Sequence, residues 1–117
     1  MSDLASLQQS IMARWDPKSY RLDPSDLAPF ETDFRRIHQG KALALLCPSS
    51  VPELIQMIEF TNQANLVVVP VGGNTSYCGG ATPDNSGRNV LLSLRRLNQI
   101  RQADPIGFTM TAEAGCT

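Results

Sequence analysis

The stretch Leu66 to Ala81, LVVVPVGGNTSYCGGA, constrains this chain more than any other. A short run of β-branched and aliphatic residues ends at Pro70 and opens into a loop with two glycine pairs, Gly72-Gly73 and Gly79-Gly80. Glycine reaches backbone conformations closed to residues with a Cβ, so the loop is expected to form a cradle in which the backbone approaches a ligand. Between Glu59 and Arg88 the only charged residue is Asp84. An anion held here must be held by backbone N–H groups and by the side chains of Asn74, Thr75 and Ser76, and successive N–H groups turned into one concavity bind anions without Lys or Arg. At about 1.5–3 kcal/mol per hydrogen bond to a charged acceptor, roughly four or five such bonds suffice to hold a diphosphate.

The two common nucleotide motifs are excluded. A dinucleotide fingerprint needs Gly-x-Gly-x-x-Gly opening a helix, whereas Pro83-Asp84-Asn85-Ser86-Gly87 follows the second glycine pair. A Walker loop needs Lys-Ser or Lys-Thr after its last glycine, and Gly79 and Gly80 are followed by neither. The loop instead resembles the pyrophosphate loop of the FAD-linked oxidase family, the vanillyl-alcohol oxidase and p-cresol methylhydroxylase superfamily, with the pattern Pro-x-Gly-Gly-x-Thr-x-x-x-Gly-Gly. Pro70, Gly72, Gly73, Thr75, Gly79 and Gly80 match it position for position. Asn74 looks like the D-2-hydroxyglutarate dehydrogenase branch, with D-lactate and glycolate dehydrogenases next. The strand Val90 to Leu94, Leu97-Asn98-Gln99-Ile100 and Glu113-Ala114-Gly115-Cys116 fall in the family's order, so the resemblance covers about Phe34 to Thr117. Val71 stands where relatives often carry Arg or Gln, and Ser76-Tyr77 where they carry Gly and an apolar residue.

Length and charge narrow the class. The chain has 117 residues, 42% of them hydrophobic, with ten Lys and Arg against eleven Asp and Glu, which bounds it to one domain at most and offers no basic field to nucleic acid. Cys47, Cys78 and Cys116 are odd in number and far apart. They form neither a Cys-x-x-Cys metal site nor a disulfide framework, and read as small, mostly buried hydrophobes in a reducing compartment. No apolar segment approaches the roughly 20 residues of a membrane span, and the N-terminus is amphipathic rather than a leader, so the expected location is cytoplasmic.

Along the chain, Leu4, Leu7 and Ile11 recur at helical spacing until Trp15-Asp16-Pro17 stops them. Lys18 to Gly40 reads as an irregular polar segment broken by Pro24 and Pro29, and His38, the only histidine, as a solvated surface residue. Residues 1–40 therefore form a leading helix and wrapping segment, and 41–117 the first part of a binding domain. Ala42 to Cys47 and Leu66 to Val69 are continuous apolar runs, suited to parallel strands covered on both sides. Between them Ser50-Val51-Pro52-Glu53 is a capping box that opens a helix with Val51, Leu54, Ile55 and Ile58 on one face and Met57, Phe60 and Ala64 widening it. The strand, helix and strand make a βαβ unit. Asn89 to Leu94 is a third strand, after which Arg95 and Arg96 are either solvated ends or ligand contacts. Ile100 to Asp104 and Phe108 to Ala114 flank a Pro105-Ile106-Gly107 turn, an antiparallel hairpin with Phe108, Met110, Ala112 and Ala114 on one apolar face. An uncovered apolar hairpin is a liability in a stand-alone domain. The expected class is α+β: the N-terminal part of a p-cresol methylhydroxylase-type FAD-binding domain, incomplete at its C-terminus.

The resemblance implies a flavin enzyme oxidising a 2-hydroxy acid, with this chain gripping the ADP half of FAD. Val71, Gly72, Gly73, Asn74, Thr75 and Ser76 are implied as donors to the pyrophosphate, Gly79 and Gly80 as the points of close approach, and Pro70 as the residue fixing the loop's exit. Gly73 and Gly79 are expected at positive φ. Some relatives attach the flavin through a His directly after the first glycine pair; Asn74 occupies that position, which implies noncovalent FAD. Tyr77 either stacks on the flavin or packs in the core. No catalytic residue and no metal ligand is assigned. The rival readings are a noncatalytic nucleotide-binding or interaction module whose fold a second chain completes, and a truncated nonfunctional product.

Overall fold

The computed structural model describes residues 3–117. In chain order the elements are α1 (Leu4–Arg14), a 3-10 turn (Pro17–Ser19), β1 (Tyr20–Arg21), α2 (Pro24–Leu27) running into a second 3-10 turn (Ala28–Phe30), β2 (Ala42–Leu46), α3 (Val51–Gln63), β3 (Val67–Val71), β4 (Asn89–Ser93), β5 (Ile100–Asp104) and β6 (Thr109–Ala112). The main sheet has the order β1-β2-β4-β3, with β2, β4 and β3 parallel and β1 antiparallel on the edge. Strands β5 and β6 form a separate antiparallel pair. Parallel and antiparallel parts with helices make this an α+β fold, as expected. Among the described residues no helix is long and apolar enough to cross a membrane.

Burial explains why the apolar runs become strands. Ala44 and Leu46 of β2 and Val90 and Leu92 of β4 face Leu7 and Ile11 of α1, Trp15 beyond it, and Met57 and Phe60 of α3. On the opposite face Leu45, Leu91, Val69 and Val71 pack on Leu27 of α2 and on Phe30. Each large aliphatic side chain so buried contributes about 1.5–3 kcal/mol. Helix α1 begins at Asp3, whose carboxylate accepts from the N–H groups of Ala5 (2.7 Å) and Ser6 (3.3 Å). The edge of Trp15 meets the Phe60 ring at 5.5 Å and 84°, which ties α1 to α3.

Several details differ from the sequence reading, each for a local reason. Strand β4 lies between β2 and β3, so the βαβ unit is split. Strand β3 runs through Pro70 to Val71 instead of ending at Val69, which is tolerated because β3 is an edge strand and Pro70 lacks only an N–H that the sheet does not need there. The segment 18–40 is less irregular than its prolines suggest: β1 pairs with β2 (Tyr20 opposite Leu46), and Asp16 and Asp23 cap its turns. Helix α3 buries Met57, Phe60 and Thr61 with Leu54 and Ala64 packed at their side, and leaves Val51, Ile55 and Ile58 exposed, so of the expected core face only Leu54 turns inward. Only half of the capping box forms. Ser50 Oγ accepts from the Glu53 N–H (3.3 Å), but the Glu53 carboxylate accepts instead from the Ser49 N–H (2.8 Å) and the Ser19 hydroxyl (3.1 Å). In the hairpin, Phe108 belongs to the turn and not to the strand: its φ is 57° and it is 92% exposed. Cys47 is half-buried and packs on the core around Leu45 and Leu91, Cys116 is half-buried, and Cys78 is exposed, so the expectation of buried cysteines holds in part for Cys47 and fails for Cys78.

Candidate functional site

Parallel strands present their C-terminal ends together, and open α/β sheets bind ligands at that edge. Here β3 and β4 end in register at Val71 and Ser93, and the Leu94 N–H donates to the Val71 carbonyl (3.1 Å). The glycine loop leaves this edge. Among the described residues, the backbone N–H groups of Gly72, Gly73, Asn74, Thr75, Ser76, Tyr77, Gly79 and Gly80 donate to no protein acceptor; the Cys78 N–H alone is taken, by Ser76 Oγ at 3.4 Å. Amides turned into one concavity can bind an anion, and this mostly exposed loop leaves its N–H groups free to do so. A cavity of about 130 Å³ lies against Gly72, Gly73 and Asn74 and is closed by Ser93, Arg95 and Gly115.

The conformations fall differently from the expectation. Positive φ occurs at Asn74 (58°) and Gly79 (80°), not at Gly73. Asn is among the few residues with a Cβ that tolerate this region, so Asn74 itself supplies the turn after the first glycine pair. At Gly72, Gly73 and Gly80 an added Cβ would meet no atom of this chain within 4 Å; the space beside the backbone is open, and glycine keeps it open. At Gly79 a Cβ would come within 3.1 Å of the His38 ring. The loop is therefore braced by the turn at 31–40 at Gly79, a residue that does not line the cavity.

That brace is built from several contacts. Asp33 accepts from the N–H groups of Ile37 (2.7 Å) and His38 (3.1 Å) and is buried. Burial pushes its carboxyl up, but these two bonds and the nearby His38 and Arg35 charges outweigh that, and its pKa lies below the ordinary aspartate value. The turn sets Phe34 on Tyr77, rings 6.2 Å apart and 16° from parallel, with the Arg35 guanidinium 4.4 Å above the Tyr77 ring. Tyr77 is 54% exposed, so core packing is ruled out. His38 is exposed, as expected, yet its ring lies on the loop.

Of the expected site residues, the structure gathers Gly72, Gly73 and Asn74 at the cavity. Pro70 and Val71 are the last residues of β3, and Val71 is buried beneath the loop. Thr75, Ser76, Gly79 and Gly80 continue the loop without lining the cavity. Sequence reasoning did not assign Phe30, Ser93, Gly115 and Thr117 to the site, and left Arg95 open. The signal available was position: Ser93 and Arg95 directly follow a strand parallel to the one that carries the loop.

The open glycine backbone, the unpartnered amides and their place at the strand ends fit a diphosphate-bearing cofactor. Residues 42–117 match the family model described as FAD binding domain. The D-2-hydroxyglutarate–pyruvate transhydrogenase of Saccharomyces cerevisiae is 34% identical over 92 residues, covering 79% of this chain and 18% of that protein. The D-2-hydroxyglutarate dehydrogenase of Xanthomonas citri is 33% identical over 112 residues, covering 96% of this chain and 22% of that one. The chain thus spans about a fifth of the length of these relatives. Among solved structures, alkyldihydroxyacetonephosphate synthase superposes with a TM-score of 0.80 at 18% identity, covering 98% of this chain and 23% of that one. p-Cresol methylhydroxylase does so with 0.77 at 21%, covering 97% and 22%. With the cradle at the strand ends and the family match running from β2 to Thr117, the chain belongs to the FAD binding domain family of the FAD-linked oxidases.

Proposed function

We propose that this chain holds FAD noncovalently and forms the cofactor-gripping part of an enzyme that oxidises a small 2-hydroxy acid of the D-2-hydroxyglutarate, D-lactate or glycolate class. The observation that carries the grip is the run of unpartnered amides from Gly72 to Gly80. In this reading the N–H groups of Gly72, Gly73 and Asn74 bind the pyrophosphate at the cavity, and Thr75 and Ser76 extend the donor set. Val71 and Pro70 anchor the loop to β3, while Gly79 and Gly80 give it room to turn. The Asn74 side chain is a donor or acceptor and not a nucleophile, which supports noncovalent binding. The bound flavin supplies the capacity to accept two electrons from the substrate C–H bond. The part of this chain is to bind, to orient and to keep water from the phosphates.

The 2-hydroxy acid class rests on the names of the relatives. The exposed apolar side chains of the hairpin and of the outer face of α3, with Ile106 and Phe108 about nine-tenths exposed, support further polypeptide covering them, as continuing chain or as a second chain.

Titration of the 117-residue chain with FAD, followed by flavin fluorescence and by the melting transition, tests the grip. Saturable binding with a raised melting temperature is expected. Gly79→Val places a β-branched residue at φ 80° and against His38, and is expected to abolish binding. Unchanged FAD affinity in that variant would remove the loop from the site. Replacing the matching stretch of the Xanthomonas enzyme with this chain tests the family frame: retained flavin and dye reduction with D-2-hydroxyglutarate are expected, and a flavin-free chimaera would overturn the reading.

A further inference from the structure

A second cavity, of about 290 Å³, lies beside the glycine cradle and shares Phe30, Ser93 and Arg95 with it. Its character is different. The cradle loop offers backbone amides, whereas this cavity gathers Lys18, Arg21, Arg95 and Arg96, four of the chain's ten cationic side chains, around one opening. They come from three separate places: the turn before β1, β1 itself and the segment after β4. The one carboxylate in the lining is Asp26, which leaves a balance of three positive charges. The ion pairs among the described residues are Lys41–Glu31 and Arg101–Glu113, so none of the four cations is in an ion pair among the described residues.

Two of the guanidinium groups are held in place. Arg96 Nη1 donates to the carbonyls of Lys18 and Cys47, both at 3.2 Å, and Arg21 Nη1 donates to those of Pro17 and Tyr20, both at 2.9 Å. A guanidinium has five N–H donors, so each keeps donors free after these bonds. All four cations are exposed, so water screens their mutual repulsion, and side chains fixed in advance lose little entropy when an anion arrives. Ser93 adds a hydroxyl at the floor, and Phe30 and Leu45 make one wall apolar.

We infer that this cavity is an anion site, separate from the flavin cradle, for a phosphoryl group. A balance of three positive charges complements a dianion better than a monocarboxylate, and the planar forks of Arg match phosphate oxygens in pairs. The phosphoryl group is either free phosphate or the head of a phosphomonoester whose organic part lies on Phe30 and Leu45. The inference does not depend on the flavin reading where it rests on Lys18, Arg21 and Arg96, which lie outside the glycine cavity; Arg95 borders both.

Equilibrium dialysis of the 117-residue chain with labelled inorganic phosphate, at constant ionic strength, tests it. One saturable site is expected, weakened at least about ten-fold by Lys18→Gln and by Arg21→Gln, and unchanged by Arg101→Gln, whose cation is paired with Glu113 on the hairpin. Lys18 makes no side-chain hydrogen bond among the described residues, so its variant serves if Arg21→Gln disturbs the turn. Gly79→Val should leave phosphate binding intact while removing FAD binding, which separates this site from the cradle. Phenyl phosphate displacing phosphate at lower concentration would identify a phosphomonoester, and equal potency the free ion. No saturable binding, equal loss in all three cation variants, loss in Gly79→Val alone, or displacement by succinate as effective as by phosphate would each overturn the assignment.

Discussion

Strands β4 and β6 are both short and both carry apolar residues, yet all five residues of β4 are buried and all four of β6 are exposed. The first lies between two parallel neighbours, under α1 and α3 on one face and α2 on the other. The second pairs only with β5. What holds each is different. The main sheet rests on burial. The hairpin rests on polar contacts: Asp104 accepts from the N–H groups of Ile106 (3.0 Å) and Gly107 (3.1 Å) in the turn, and Glu113 pairs with Arg101 at 2.9 Å at the base. A two-stranded hairpin alone is marginal in water. The binding edge belongs to the rigid part, and the hairpin is where a covering polypeptide would add most.

Deleting apolar atoms from each region gives the largest expected contrast. Leu91→Ala, at a fully buried site of β4, should cost about 2–5 kcal/mol in urea unfolding. Met110→Ala, 62% exposed on β6, should stay within about 0.5 kcal/mol. Equal losses would mean that the hairpin is packed in solution on something the chain itself supplies, and the contrast would fail.

How much of this was legible from residues alone follows the same division. Ala42 to Cys47 and Asn89 to Leu94 were readable as strands because residues buried on both faces leave a largely apolar run; Leu66 to Val69 was readable from its β-branched residues, but β3 is an edge strand with Val67 53% exposed and is not covered on both sides as expected. The cradle was readable because paired glycines after such a run have few other uses. The core face of α3 was not. Val51, Ile55 and Ile58 are as apolar as Met57 and Phe60, and periodicity cannot rank two apolar stripes on one helix; contact with α1 and the sheet decides. Nor was the brace on Gly79 legible, since it joins His38 to a loop about 40 residues away through a turn that Asp33 sets by local hydrogen bonds. The cation cavity was hidden for a similar reason: Lys18, Arg21, Arg95 and Arg96 meet only because β1 pairs with β2 beside β4.

Two glycines sharpen the comparison at intermediate size. A Cβ at Gly40 would collide with the Pro83 carbonyl, and one at Gly115 with the carbonyls of Leu94 and Leu97. Gly40→Ala should lower global stability by about 1–3 kcal/mol, since Gly40 is buried where the 31–40 turn meets the segment entering β4. Gly115 is where the strand leaving the hairpin returns to the sheet, through its N–H bond to Leu97 (2.7 Å). Gly115→Ala should loosen the hairpin first, raising amide exchange at residues 100–112 while β2 and β4 stay protected. Uniform loss of protection would show the two sheets to be one cooperative unit.

The smallest effect is a proton. The Glu113 carboxyl lies below the ordinary glutamate value, first because it accepts the Gln99 N–H (2.9 Å) and next because Arg101 donates to it. A depressed carboxylate contributes stability that is complete above its unfolded pKa, near 4.3, and is lost as pH falls through the lower folded value. Acidification from about pH 7 to about pH 3 should therefore lower the protection factors of the β5 and β6 amides, taken against the intrinsic exchange rate at each pH. The buried parallel strands carry no carboxylate in β2, β3 or β4, and beyond their first residues, where Glu31 accepts the Ala42 N–H and Asp84 the Asn89 side-chain N–H, they should keep their protection over the same range. Glu113→Gln retains an oxygen that accepts the Gln99 N–H but does not titrate, so it should leave the hairpin's protection factors nearly independent of pH. Arg101→Gln should only narrow the response, because the Gln99 bond is the larger cause. Hairpin protection that held unchanged in the wild type down to pH 3 would mean that packing, and not this carboxylate, closes the hairpin, and would move it to the same side of the comparison as the sheet.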